Sequence, residues 1–238
     1  MFLPVPGEYD SETAAALQRL TAASDINYQD SDDFRAALEQ LPCCADGGDP
    51  VNMVFVGDVT DIAAALIRRG FRLRRNPGDD RQLLFGRPPD LVARRVGRAG
   101  VPANWIRMWV APLQFQGQAV ALVQSGRPAG GRFMAEDTSR QKLHPDVDES
   151  RSLLIQDLLY SGGLAQLGFV RGSAAIPETG AADTGGDAAS YHSDGLRAVL
   201  FFVTRPLTLS DIELLDWVPA LEQRVDEAAN SNPNEQKP

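Results

Sequence analysis

PVNMVFVGDVTDIAAALIRRGFRL, Pro50 to Leu73, is the stretch that decides the fold. Val51 to Val56 is an apolar, β-branched run closed by Gly57, the pattern of a buried strand. Asp58 or Thr60 then caps a helix running through Arg69, with Asp61 in its first turn and Arg68-Arg69 in its last. Each charge sits at the end of the helix dipole that favours it. Gly70 occupies the position past the helix where a left-handed residue is wanted, and Phe71 to Leu73 resumes an extended chain.

The same reading extends in both directions. Upstream, Ser11 to Leu20 has helical spacing, as does Ser31 to Leu41, where Phe34, Leu38 and Leu41 share a face and Pro42 ends the helix. Downstream, the charged loop 76–81 leads to Leu83–Phe85 and the GRPPD turn, Gly86 to Asp90, with a short helix expected after it. Trp105–Val110 and Gln118–Val123 alternate as paired strands joined through the Gln116-Gly117 turn, and Arg132–Met134 is a candidate third. Pro145 suits the first position of a helix to Tyr160 whose buried stripe is Val147, Leu154, Ile155, Leu158 and Leu159, closed by Gly162-Gly163. Leu164–Val170 and Leu196–Val203 read as strands, separated by a surface loop at Gly172–Ser190. Ser210 caps a last expected helix to about Ala229, and a polar tail follows from Ser231.

These elements predict one α+β domain: a mixed, mainly antiparallel sheet with helices packed on it. The 238 residues divide into an N-terminal extension with a helix (1–33), a central domain (34–205), and a C-terminal helix with a disordered tail (206–238). A chain of this length buries enough surface to hold a core without a disulfide or a metal. The net charge of −9 and pI near 4.7 repel phosphate backbones and anionic lipid, so nucleic acid is not an expected partner. No run approaches 18 apolar residues, so no bilayer-spanning segment is expected. The N-terminus lacks the basic flank and long apolar core of a signal peptide, which leaves a cytoplasmic chain or one whose leader has been removed.

Candidate chemistry is thin. Cys43-Cys44 are adjacent, match no zinc spacing, and would close only a strained bridge, so idle thiols are expected. Asp146, Asp148 and Glu149 are either a carboxylate cluster or simply acids at a helix start. His144 would need a nucleophile or acid brought to it by the fold, Ser193 stands too close to His192 in sequence to presume a triad, and no G-x-S-x-G elbow occurs. Gly126–Arg132 is glycine-rich without the GK[ST] of a phosphate loop. Arg87 and Arg107 lie inside apolar motifs, where a buried guanidinium must find partners. Asp90 and Asp146 are the candidate partners, in ion pairs that lock loops to the sheet or in an anion pocket. Trp105, Trp109 and Trp217 are expected in a core or an interface, with a ligand cage as the sharper alternative.

Six segments resemble, in order, those of the LssY C-terminal domain family. They are LPCC (Leu41–Cys44), GDPVNMVFVGD (Gly48–Asp58), LLFGRPPDL (Leu83–Leu91), IRMWVAPLQFQGQ (Ile106–Gln118), HPDVDESRSLLIQDLL (His144–Leu159) and SDGLRAVL (Ser193–Leu200). The resemblance spans about Phe34 to Val203 and implies bacterial envelope- or secretion-related work, in an envelope-associated or periplasmic setting. That family's domain often follows a phosphatidic-acid-phosphatase-like membrane region, whose motifs this chain does not carry. The resemblance places histidines where Trp105 and Gln141 stand, aspartate where His144 stands, and an aromatic residue where His192 stands. Tryptophan and glutamine cannot shuttle protons. The expected function is therefore a non-enzymatic accessory or binding module, with no cofactor and no metal, able to take a protein partner. A phosphoester or ester hydrolase built from Arg87, Arg107, His144 and Asp146 is the alternative, and a structural subunit of a larger complex is the third.

Overall fold

The computed structural model describes residues 26–45, 50–74, 82–98, 101, 103–129, 144–173, 175–176 and 191–218. The expected helix at 11–20, the loop 76–81, the strand at 132–134, most of the loop 172–190 and the tail from 231 lie outside them. The chain is α+β, as its periodicities predict. Among the described residues nine strands form one sheet: β1 (Ile26–Tyr28), β2 (Met53–Val56), β3 (Arg72–Leu73), β4 (Leu91–Arg95), β5 (Asn104–Phe115), β6 (Gln118–Gly126), β7 (Leu164–Arg171), β8 (Leu196–Phe202) and β9 (Glu213–Leu214). The helices are α1 (Ser31–Glu39), α2 (Val59–Arg68) and α3 (Val147–Leu159).

The strand order is β3-β4-β5-β6-β2-β8-β7-β9, with β1 beside the far end of β5. Most pairs are antiparallel, whereas β2–β8, β1–β5 and β7–β9 are parallel. Strand alternation sorts side chains into two cores. Met53, Phe55, Ile106 and Met108 meet Ile62 and Leu66 of α2 and Leu154 and Leu158 of α3. On the other face Val54, Val56, Trp109 and Leu122 meet Phe34 and Leu38 of α1. The all-apolar run of β2 follows from this, because all four residues are buried between helix layers.

Helix ends follow local chemistry. Asp58 caps α2 by accepting from the Thr60 amide at 2.7 Å, and Gly70 follows with φ 85°. Gly57 has φ 148°, and a Cβ there would stand 2.9 Å from the Cβ of Phe202. A side chain at this position would push β2 away from β8. Pro145 is not the first residue of α3, because Asp146 is the N-cap and accepts from the Glu149 amide at 2.8 Å. The buried face of α3 also differs from the expected stripe: Ser150 and Arg151 are buried in it, while Leu159 is only partly so.

Two further expectations are corrected. The segment after GRPPD is β4, not a helix: Leu91 and Ala93 enter one core and Val92 turns the other way, pairing with Met108, Ile106 and Arg107 of β5. The chain after Ser210 is not helical where it is described. It makes a single 3₁₀ turn at Leu209–Asp211, where Asp211 accepts from the Thr208 amide, and then β9. Gly168 explains the docking of this segment, since Leu215 and Trp217 fill the space a side chain would take. Ile212 packs on one core and Leu215 and Trp217 on the other, so the segment wraps the sheet edge. The remainder of the expected helix, 219–229, falls outside the described residues. Among those residues no helix is long and apolar enough to cross a membrane.

Candidate functional site

The start of α3 gathers most of the candidate chemistry. Proline before the N-cap sets the chain direction, and the Asp146 backbone makes a parallel bridge to His192, whose amide donates to the Pro145 carbonyl at 2.9 Å. This brings His144, Asp146, Glu149 and His192 to one helix end, joined by Arg127 from the end of β6. Arg127 Nη2 lies 2.8 Å from Glu149 Oε2 and 2.8 Å from His144 Nε2. A guanidinium can only donate, so Arg127 presents an N–H group to the imidazole. Nδ1 faces Glu149 Oε2 at 3.8 Å. The Asp146 amide donates to Nδ1 at 3.2 Å. Asp146 Oδ2 stands 3.7 Å from His192 Nε2, beyond hydrogen-bond range.

Asp148 takes another direction and does not chelate with Asp146. Its carboxylate accepts from Ser193 Oγ at 3.2 Å and from the Asp194 amide at 2.6 Å. Arg151, one turn on, grips Asp194 with bonds of 2.9 and 2.6 Å and donates to the Leu196 carbonyl. Burial raises the Asp148 carboxyl, opposed chiefly by Arg151. Burial also works against the Arg151 cation, but Asp194 and Asp148 outweigh it and hold the guanidinium above its ordinary value. Ser193 Oγ accepts from Gly195 while donating to Asp148, so its proton is directed away from His192.

Arg87 is placed elsewhere. It pairs with Asp90 and donates to the Val110 carbonyl, while Asp90 accepts from the Val110 amide at 2.7 Å and Trp109 Nε1 donates to the Arg87 carbonyl at 3.2 Å. The GRPPD turn is thereby latched to β5, with Phe85 and Gly86 at positive φ. Burial pushes the Asp90 carboxyl above its ordinary range, against the pull of the Val110 amide and Arg87. Arg107 is fully buried within β5, on the face opposite α3. It donates to Gln124 Oε1 at 2.8 Å and lies 4.2 Å from the Trp105 ring centroid. The expected Arg87–Asp90 pair is present, but Asp146 turns toward His192 rather than Arg107. Of the four sequence candidates, His144 and Asp146 come together, and Arg87 and Arg107 take separate places in the sheet.

The tryptophans form no common cage. Trp109 and Trp105 are buried in the sheet, and Trp217 stacks edge-on to Phe34 and Phe201. An open cleft of about 820 Å³ lies at the C-terminal ends of the parallel strands β2 and β8. Its lining includes Asp58, Asp61, Phe115, Phe202, Arg205 and Glu213. In α/β sheets, the carboxyl ends of parallel strands are a favoured place for ligands, because the chain departs there in diverging directions.

Sequence reasoning did not single out Arg127, Arg151 or Arg197 as structural charges. The available signal was a charge inside an apolar pattern: Arg151 in the buried face of α3 and Arg197 within LRAVLFF. The cleft gave no signal, since its lining comes from segments scattered along the chain. No family model, no curated protein and no solved structure matches this chain.

Proposed function

We propose that this chain is a non-enzymatic binding module that resembles the LssY C-terminal domain and serves as an accessory part of a bacterial envelope- or assembly-associated system. The observation that carries this reading is that the ionisable side chains a reaction would need are engaged in building the fold. Asp146 caps α3, His144 Nε2 faces a guanidinium, Asp148 orders the Ser193–Asp194 turn, and Arg87 latches a loop. The cleft at the ends of β2 and β8, by contrast, is open and has both polar and aromatic lining, the mixture that small-molecule and peptide sites use. Amide shift mapping with a fragment collection tests it. Shifts clustered at Thr60, Gln118 and Thr204 agree with the reading. Shifts confined to 144–149, together with turnover of the fragment, contradict it.

A second reading is favoured by one observation, the meeting of His144, His192, Asp146 and Glu149 at one helix end. Under it the chain hydrolyses phosphoesters or acyl esters, with Arg127 rather than Arg87 beside the histidine. Purified protein would then turn over 4-nitrophenyl phosphate or acetate, and Asp146→Ala would abolish that turnover while leaving the circular dichroism spectrum intact.

A further inference from the structure

Every residue lining the cleft at the carboxyl ends of β2 and β8 lies among the described ones, and its ionisable groups are Asp58, Asp61, Asp211, Glu213 and Arg205. Four carboxylates thus stand against one guanidinium. They come from the start of α2, the 3₁₀ turn and β9, which the fold brings to one opening. A neighbour holds each in place by donating to one of its oxygens. The Thr60 amide donates to Asp58 Oδ1 at 2.7 Å, and Thr204 Oγ1 to Asp61 Oδ2 at 2.9 Å. The Thr208 amide donates to Asp211 Oδ2 at 2.8 Å, and Gln166 Nε2 to Glu213 Oε2 at 2.6 Å. An ionised carboxylate offers about four acceptor sites, so each keeps capacity for the N–H groups of a ligand. The bonds from Thr208 and the nearby Arg205 lower the Asp211 carboxyl, which keeps it ionised at neutral pH.

The sign of the ligand follows from these walls. The N-terminal end of α2 would ordinarily draw an anion, but Asp58 and Asp61 already occupy it. An anion entering the cleft would meet carboxylates, whereas a cation relieves the repulsion among them. Phe115, Phe201 and Phe202 line the same space, and the Phe115 and Phe201 rings meet edge-on with centroids 5.8 Å apart. Aromatic surface accepts an apolar body and attracts a positive charge. The volume of about 820 Å³ is that of a small-molecule site, roughly 300–1,000 Å³. Neither end of the chain supplies the matching charge. Residues 1–25 carry Glu8, Asp10, Glu12 and Asp25 against Arg19, and residues 219–238 carry Glu222, Asp226, Glu227 and Glu235 against Arg224 and Lys237. A second copy brings a net charge of −9.

We propose that this cleft takes a small organic cation, an ammonium or guanidinium group on an apolar body, held by Asp58, Asp61, Asp211 and Glu213 beside the phenylalanine rings. The proposal rests on the reading of the chain as a binding module and adds the charge and size of what it binds. Specificity comes from the carboxylates, and the rings contribute contact area.

Amide shift titration of the full chain with 4-phenylbutylamine, 4-phenylbutanol and 4-phenylbutyrate tests this, because the three share one body and differ in charge. The amine should shift the amides of Thr60, Gln118 and Thr204 and bind at least about 10-fold more tightly than the alcohol, with the carboxylate weakest. The double variant Asp61→Asn, Glu213→Gln should weaken the amine about 5- to 10-fold and leave the alcohol within about 2-fold, a difference that altered folding would not produce. Glu39→Gln removes a charge near the opposite end of β8, where Arg197 binds the Leu38 carbonyl, and should leave all three ligands within about 2-fold of the parent. The proposal is overturned if the alcohol or the carboxylate binds as tightly as the amine. The cleft would then still bind a ligand, and the binding-module reading would stand. It is also overturned if an arginine-containing tetrapeptide binds there more than about 10-fold more tightly than the amine, which would make the occupant a protein segment. If none of the three ligands and no fragment shifts these amides, the proposal and the reading beneath it fall together.

Discussion

Arg151 of α3 holds Asp194 through two side-chain bonds of 2.9 and 2.6 Å, fastening the helix to the turn that begins β8. The Arg151 side chain is only 5 % exposed but Asp194 is 37 % exposed, so the charge left by loss of Arg151 is partly screened by solvent. Arg151→Ala is expected to lower unfolding free energy by about 2 kcal/mol in urea titrations, between the values for buried and for exposed pairs. Arg151→Lys should recover less than half of that, because an ammonium cannot match the carboxylate with a planar fork. A loss below about 1 kcal/mol for the alanine variant would place this contact among ordinary surface pairs.

Gly57→Ala probes the close approach of β2 and β8. The added Cβ would meet Phe202 Cβ at 2.9 Å and the Phe202 carbonyl at 3.1 Å, at a φ of 148° that alanine rarely adopts. A loss of about 2–4 kcal/mol is expected from the sum of backbone strain and overpacking. Gly117→Ala is the comparison: it shares a positive φ of 77° but meets nothing within 4 Å, so it should lose only the strain part, about 1 kcal/mol.

Carboxyls in this fold respond to acid in opposite directions. Burial raises Asp90 above its ordinary 3.8, so the folded state holds that proton more tightly than the unfolded chain does. Its contribution to stability therefore grows as pH falls through the raised value and declines as pH rises. Bonds from Thr208 lower Asp211, whose contribution is present above the ordinary carboxylate range and is lost as pH falls through the lowered value. Asp90→Asn should thus cost more at about pH 4 than at about pH 7, and Asp211→Asn the reverse. Denaturant midpoints at the two pH values, compared with the parent, check both signs.

How much of this was legible beforehand depends on how local the cause is. Met53–Val56, α2 and Gly70 were readable because strand, cap and stop lie within one short stretch and act on their neighbours in sequence. The Arg87–Asp90 latch was readable for the same reason, its partners being three residues apart. β4 reads as a short helix in isolation because its strand character comes from pairing with β5, which no local pattern announces. β9 needed Gly168, more than forty residues upstream, to make room for Leu215 and Trp217. Arg197 was hidden as a function of distance too, since its acceptors Leu38, Pro42 and Val51 are about 150 positions away in the chain. The candidate site is half legible: His144 and Asp146 stand out in the sequence, whereas the Arg127 that faces the imidazole lies in a glycine-rich stretch whose pattern bears only on phosphate binding.

Thiol reactivity should separate the two cysteines. Burial keeps the Cys44 sulfur protonated until about pH 11, while Cys43 is exposed. Only the thiolate attacks an alkylating agent. Iodoacetamide at about pH 8 is expected to label Cys43 alone, with Cys44 joining as pH approaches 11, read by peptide mass. Equal labelling at the lower pH would contradict the placement of Cys44.

The central proposal is that the histidines and carboxylates at the start of α3 serve the fold rather than a reaction. The most direct measurement is turnover of 4-nitrophenyl phosphate and 4-nitrophenyl acetate by the purified chain, with His144→Ala and Asp146→Asn beside it. The account predicts rates equal to the buffer blank for all three proteins, together with little change in stability for Asp146→Asn, because asparagine caps a helix about as well as aspartate. Turnover by the parent that disappears in a folded His144→Ala variant would contradict it.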